Sequence, residues 1–340
     1  MRERILTPEK FSEEEERYIV SLRPSRLSEY IGQKKLVGKM SVSIEAALKR
    51  GEPHEHMLLY GPPGLGKTTL AHILAQEMGT RLIVSSGPTL QRTGDLMGIL
   101  TNLEEGDVLL IDEIHRLAPA VEEFIYPAME DFKVDFVVDK GTFARVINVP
   151  LKKFTLVGAT TRAGLISAPL RDRFGITHHL DFYPPEELAE IVNRSAVILN
   201  LEIDKSAARE IANRSRGTPR IANRLLRRVR DYSQVNNHAE ISASAVVKSL
   251  EMEGIDSVGL DDLDRRLIAT IVDYYKGGPV GIESIAAALN EETGTLEEMV
   301  EPYLLKIGFI KRTRQGRVVG DAALRHLKLK KKGDSQQELL

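Results

Sequence analysis

The stretch Gly61-Pro62-Pro63-Gly64-Leu65-Gly66-Lys67-Thr68 satisfies the pattern G-x-x-x-x-G-K-[ST] at every constrained position. Glycines at those spacings let backbone N–H groups converge on phosphates where a Cβ would clash. A helix starting immediately downstream adds favourable dipole charge. In that chemistry Lys67 neutralises the β- and γ-phosphates and Thr68 offers its hydroxyl to magnesium. A strand-like run at 57–60 precedes the loop and a helical pattern at 68–78 follows it, which is the context the motif requires. A chance match in a chain of this length arises about once in a hundred at average residue usage, so a bare Gly-Pro turn is the weaker reading.

Further residues have companion chemistry. Leu109-Leu110-Ile111-Asp112-Glu113 places two acids after an apolar run, at the strand end where ligands bind in open α/β sheets. Asp112 would hold magnesium, directly or through water. Glu113 would orient and deprotonate an attacking water, which favours hydrolysis over passive nucleotide holding. Thr160 and Thr161 close another strand-like run, and a hydroxyl there could meet the γ-phosphate or the water. Arg171 and Arg173 follow a Gly-Leu-Ile-Ser-Ala-Pro loop. One of them could stabilise transition-state charge, a role worth ~10³–10⁵ in rate. As bare arginines they read better as surface ion-pair partners.

These residues need a scaffold. Short runs rich in Val, Ile and Leu at 57–60, 81–85, 107–112, 154–160 and 178–182 read as buried parallel strands, with helical patterns between several of them. That predicts a doubly wound α/β domain. Residues 132–138 and 144–149 read as a β-hairpin around a turn at 139–142, with Val134, Phe136 and Val138 either on the core or forming an apolar tip. Pro184-Pro185 marks a boundary, and helical periodicity then recurs at 185–199, 205–214, 219–232 and 241–253. After a Gly-bounded hinge at 254–259 come helices at 261–275, 282–289 and 295–307, then two strand-like pieces around Gln315-Gly316. Three helices and a basic hairpin suggest a winged helix-turn-helix. The expected domains are 1–183, 184–256 and 257–340.

Composition narrows the classes. The 340 residues carry 47 Lys and Arg against 49 Asp and Glu, with 42% hydrophobic and 28% charged residues, an ordinary globular balance. There is no cysteine, which excludes disulfides, Cys-based zinc sites and thiol nucleophiles. No apolar run approaches the roughly 18 residues of a membrane span, and the acidic N-terminus lacks a signal-peptide core. A cytoplasmic location with no membrane partner is expected. Trp is absent and aromatics are 5%, so a large aromatic recognition platform is not expected. Eight Arg against one acid at 209–230, and ten Lys or Arg against one acid at 306–332, make a polyanion partner plausible. Bland readings compete elsewhere. His54 and His56 read as a polar loop rather than metal ligands. His115 is not needed as a base beside Glu113, and His178 and His179 belong to the fifth strand. Arg224, Arg227, Arg228 and Arg230 read as the solvated face of a helix whose apolar stripe is Ile221, Leu225, Leu226 and Val229.

Taken together, the chain resembles the RuvB family, the bacterial AAA+ motors that drive branch migration of Holliday junctions. The resemblance is carried by SLRPSRLSEYIGQ (21–33), GPPGLGKTTLA (61–71), LLIDEIHRL (109–117), YPAMEDF (126–132), VGATTRAG (157–164), PLRDRFGI (169–176), RGTPRIANRLLRRVRDY (216–232) and EPYLLKIGFIKRTRQGR (301–317). It implies an α/β AAA+ P-loop domain (a parallel sheet with helices on both faces), a helical lid and a winged-helix head. It implies an ATPase using ATP and Mg²⁺, with Lys67, Asp112, Glu113, Thr161 and Arg173 catalytic and Thr68 and Asp112 holding the metal. Leu22, Arg23, Gly64, Gly66, Lys67, Thr68, Thr69, Glu130, Asp131, Phe132, Arg173, Tyr183 and Arg220 would meet nucleotide. Within that set Arg173 would reach a neighbouring subunit's nucleotide, and Arg220 would sense nucleotide from the lid. Arg312 and Arg317 would touch the DNA backbone. Thr293 and Gly294 stand where the family leads us to expect a further basic residue. The implied partners are RuvA, through the hairpin at 132–149, the duplex arms of Holliday junctions, RuvC, and further copies in a homo-hexamer. The competing reading is a clamp-loader- or initiator-like AAA+ assembly factor, and a weaker one a DNA-binding regulator with a structural ATP.

Overall fold

A computed structural model describes residues 21–138 and 145–329. The chain divides into two compact units. One comprises Ser21–Gly61 and Leu65–Asp181; the other takes in Pro62–Gly64 and the described residues from Phe182 onward.

The first unit is an α/β domain. Its elements are α1 (Lys34–Arg50), β1 (Met57–Tyr60), α2 (Lys67–Met78), β2 (Leu82–Ser86), α3 (Thr93–Leu100), β3 (Val108–Asp112), α4 (Pro119–Glu130), β4 (Lys133–Val138), β5 (Arg145–Pro150), β6 (Thr155–Thr160), α5 (Ala168–Asp172) and β7 (Ile176–His179). Five strands form one parallel sheet in the order β2-β3-β6-β1-β7. Because β6 lies between β3 and β1, the loops leaving the C-terminal ends of those three strands are neighbours. Val108, Leu109, Leu110 and Ile111 are fully buried. Burial of each such side chain is worth about 1.5–3 kcal/mol, enough to fix the register that brings Asp112 out at the strand end.

Two elements depart from expectation. The last strand is Ile176–His179, paired with Met57–Tyr60, rather than 178–182. This edge strand is Ile-Thr-His-His, too polar to register as an apolar run, and the chain leaves the sheet after the Leu180 amide donates to the Tyr60 carbonyl at 2.8 Å. Helix α1, which no strand pattern announced, buries Leu36, Met40, Ile44 and Ala47 on one face. The hairpin β4–β5 forms as expected, with Val134 opposite Val149 and in the core. Its turn at 139–142 and the side chains of Phe136 and Val138 lie outside the described residues, while Ile147 is exposed.

The second unit is helical, then winged. Helices α6 (Pro185–Ile198), α7 (Lys205–Arg214), α8 (Pro219–Val235) and α9 (Ala243–Met252) pack around Leu188, Val192, Ile211, Leu225, Leu226, Val229 and Val246. Arg224 does not join a solvated face: it is buried, and Ile221 is only half-buried. The winged part has α10 (Asp262–Tyr275), α11 (Ile282–Leu289), a helical run of α12 (Thr293–Thr295), a π-helical segment (Leu296–Val300) and α13 (Glu301–Lys306), then the antiparallel β8 (Ile310–Thr313) and β9 (Gly316–Val319). A further helix, α14 (Asp321–Leu327), follows. It is held by Ala323 in the core and by His326, whose Nε2 lies 2.7 Å from Asp256.

Candidate functional site

Gly61, Gly64 and Gly66 have φ of +145°, +79° and +102°, which only glycine adopts without strain. Gly66 opens α2 with no capping side chain, so the first-turn amides have no side-chain acceptor of that kind. A Cβ at Gly66 would strike the Tyr30 hydroxyl, which itself donates to the Leu65 carbonyl at 3.3 Å. The sequence reading missed Tyr30, although it lies in the quoted SLRPSRLSEYIGQ segment. Lys67 is buried, and its Nζ donates to the Gly61 carbonyl at 2.7 Å.

The acids stand next to the loop because of the strand order. Thr68 Oγ1 lies 3.5 Å from Asp112 Oδ2, and the other Asp112 oxygen accepts the Glu113 N–H at 2.9 Å. Two hard oxygens, one charged, suit Mg²⁺, which takes few protein ligands and completes its shell with phosphate and water. The donor set therefore fits the ion. Among the described residues no group of three or more His, Cys, Asp or Glu forms another candidate metal site. Glu113 has a left-handed backbone, φ +47°, and its carbonyl presses on Gly87 where a Cβ would clash. Such strain in a non-glycine residue persists only where the surroundings enforce it.

Both threonines at the end of β6 serve this site, in different ways. Thr161 Oγ1 donates to Glu113 Oε2 at 3.2 Å. Thr160 Oγ1 is fully buried, accepts the Arg162 N–H at 3.0 Å and sits 2.9 Å from His115 Nδ1. That same Nδ1 lies 3.2 Å from Glu113 Oε2. His115 therefore joins the constellation, which sequence reasoning did not propose. Its only signal was its place two residues beyond Glu113.

The other expected contacts fall in several places. Leu22 is buried, while Arg23 and Thr69 are half-buried. Arg173 is anchored on its own chain: Nη1 donates to the Pro169 carbonyl at 2.7 Å, Nη2 pairs with Glu130 at 3.2 Å, and the guanidinium stacks 4.2 Å from the Tyr126 ring centroid. Asp131 pairs with Lys133 at 2.9 Å, and Phe132 packs edge-on against Phe154. In the second unit Tyr183 is buried and donates its amide to the Gly217 carbonyl at 2.9 Å. The Arg220 amide reaches the Gly64 carbonyl at 3.4 Å. Arg312 is exposed and Arg317 is largely buried, and both bind Glu301. Thr293 and Gly294 lie in the first turn of the helical run that ends in α13.

His54 and His56 are structural. His54 bonds the Glu55 carbonyl and Ser43 Oγ at 2.7 and 2.8 Å. His56 Nδ1 accepts the Leu156 amide at 2.9 Å, which leaves Nε2 as the donor to the Met129 carbonyl at 3.0 Å. Burial holds both rings below the ordinary imidazole pKa, so both are neutral spacers between elements.

Comparison with known proteins agrees over nearly the whole chain. Residues 22–180 match the family model of the Holliday junction DNA helicase RuvB P-loop domain, 183–256 that of the RuvB AAA lid domain and 257–328 that of the RuvB C-terminal winged helix domain. Among solved structures, the Thermotoga maritima RuvB Holliday junction branch migration motor is 52% identical, with 91% of this chain and 99% of that chain covered and a TM-score of 0.84. A lysine-to-arginine mutant of the same Thermotoga protein gives 52% identity, the same coverage and a TM-score of 0.85.

Proposed function

We propose that this chain, which belongs to the RuvB family of P-loop ATPases, is an ATP-driven motor that moves duplex DNA to migrate the branch point of Holliday junctions. The observation that carries the reading is the constellation at the C-terminal ends of the three central strands β3, β6 and β1. Lys67, the Thr68–Asp112 pair and the Thr161–Glu113 hydrogen bond stand together, on a chain that also holds a winged helix with basic side chains on its hairpin.

In this reading ATP lies along the loop 61–68 and the start of α2, with Leu22, Arg23, Thr69 and Tyr183 as further contacts. Lys67 leaves the Gly61 carbonyl for the β- and γ-phosphates. Thr68 and Asp112 would hold Mg²⁺, which supplies charge neutralisation on the phosphate oxygens. Glu113, aimed by Thr161, takes the proton of the water that attacks the γ-phosphorus, and ADP and phosphate are released. Arg173 serves the nucleotide of an adjacent copy, near Glu130, Asp131 and Phe132, so the working form is a ring, here a homo-hexamer. Arg220 reports nucleotide state from the lid through its contact at Gly64. The wing grips DNA by its phosphates, which carry no sequence information and so suit a motor that must pass any sequence.

RuvA is the proposed partner of the hairpin, whose Ile147 is exposed, and RuvC a partner in a larger resolving complex in the cytoplasm. A clamp-loader-like factor is disfavoured by the winged helix and by the Arg-Asp-Arg-Phe context of Arg173.

A four-way junction assay tests the proposal. ATP should drive dissociation of a synthetic junction into two duplexes in the presence of RuvA, and a Glu113→Gln variant should not. Junctions that stay intact with active ATPase would leave the ATPase assignment standing and remove the motor.

A further inference from the structure

The wing carries two arginines directly opposite each other: Arg312 on β8 faces Arg317 on β9 in the hairpin register. Like charges at directly opposed positions destabilise an antiparallel pair. A carboxylate from the preceding helix removes the conflict. Glu301, the first residue of α13, is 1% exposed and accepts from both guanidiniums in bidentate fashion. Arg312 donates from Nε at 3.2 Å and Nη2 at 2.5 Å. Arg317 donates from Nε at 2.9 Å and Nη2 at 3.1 Å, and its Nη2 also lies 3.4 Å from Glu297. Burial alone would raise the Glu301 pKa, but the Arg317 and Arg312 hydrogen bonds outweigh it and hold the carboxyl below its ordinary 4.5. The group is therefore charged at neutral pH, and the trio carries one net positive charge.

The two arginines are not equivalent. The Arg317 side chain is 13% exposed and the Arg312 side chain 55%. With Nε and Nη2 engaged on Glu301, Arg312 Nη1 has no partner among the described residues and can meet an outside acceptor. An exposed arginine immobilised before it meets its ligand loses less rotamer freedom on binding. We propose that Glu301 is a positioning residue for DNA: it fixes the Arg312 guanidinium toward a backbone phosphate, while the largely buried Arg317 balances Glu301. The proposal rests on the reading that the wing engages duplex DNA, and it refines which wing residue does so.

The test has a sign that simple charge counting gets wrong. Duplex binding by the full chain is titrated at several salt concentrations for Glu301→Gln, Arg312→Lys and Arg312→Ala, with circular dichroism and thermal midpoints as the fold control. Glu301→Gln makes the wing more positive, so charge alone would tighten binding. Positioning instead expects weakening on the order of tenfold, the loss of about one charge-assisted hydrogen bond. Arg312→Lys keeps the charge but loses the bidentate fork, and the same loss is expected. Binding by Glu301→Gln at or above the unsubstituted level overturns the proposal, and so does near-normal binding by Arg312→Lys. Should Glu301→Gln fail to fold, Arg312→Lys decides alone. Arg312→Ala is expected to flatten the salt slope by about one. If it changes nothing, the wing is not on the DNA, and the underlying reading fails rather than its refinement.

Discussion

Thr161 donates its hydroxyl hydrogen to Glu113 Oε2 across 3.2 Å, and the His115 imidazole approaches the same oxygen from a second direction at the same distance. The Thr161 hydroxyl thus orients the carboxylate proposed to activate water, with the His115 ring beside it. A general base so held must be both present and aimed, and these are separable.

Replacing Glu113 by Gln keeps the shape and removes the base. ATP binding should persist while turnover falls by about 10²–10⁴, the usual contribution of a positioned general base. Equilibrium binding of a fluorescent ATP analogue beside a phosphate-release assay measures both quantities. Normal turnover would remove Glu113 from the chemistry.

Thr161→Val is near-isosteric and removes only the donor. The kcat should fall about tenfold or more, the value of one hydrogen bond to a charged group, with KM for ATP nearly unchanged. A variant that loses affinity at constant kcat would place Thr161 on the nucleotide rather than on Glu113.

Much of this site was legible because its parts are local in sequence. The loop 61–68 is one short segment, and an apolar run placed Asp112 and Glu113 at a strand end. What was not legible required geometry between segments. Alternation along β6 points Thr160 inward to His115, while Thr161, just past the strand, meets Glu113; adjacent threonines look alike in a sequence. His115 lies beside Glu113, whose left-handed backbone few non-glycine residues adopt. Nothing in the sequence sets Glu301 apart from Glu297 and Glu298; β8 and β9 bring their arginines onto it. Arg224 looked solvated because its type is usually exposed, yet the helix packing buries it. The fold shows the same division. Apolar strands were found, whereas polar Ile176–His179 was placed two residues late.

The buried imidazoles predict a pH dependence. Burial lowers the pKa of His54, His56 and His178 below the ordinary 6.5. The unfolded chain then binds more protons than the folded one just below 6.5, so stability rises with pH through that window. The contribution is present in full above 6.5 and is lost as pH falls through the lower folded values. Urea midpoints should drop between about pH 7.5 and about pH 5.5, the span in which unperturbed histidines charge. A flat midpoint across that span would contradict neutral burial.

Arg216 and Asp264 form a buried ion pair joining the loop before α8 to α10, with the Arg216 Nε also donating to the Gly259 carbonyl at 2.8 Å. Arg216→Met should destabilise the chain by about 3–5 kcal/mol, because it leaves Asp264 buried without its partner. The double variant Arg216→Met with Asp264→Leu should recover much of that loss. Chemical denaturation measures both, and additive losses would mean that the pair is not coupled.

In the proposed ring, each ATPase site is completed by an arginine from the next copy. The most direct test mixes two inactive variants, Lys67→Ala and Arg173→Ala, and measures ATP hydrolysis. In a mixed ring, a site with Lys67 intact can adjoin a copy with Arg173 intact, so activity should reappear only in the mixture. If the mixture stays as inactive as its components while both variants fold and assemble, each site uses its own Arg173, and the shared-site account is wrong.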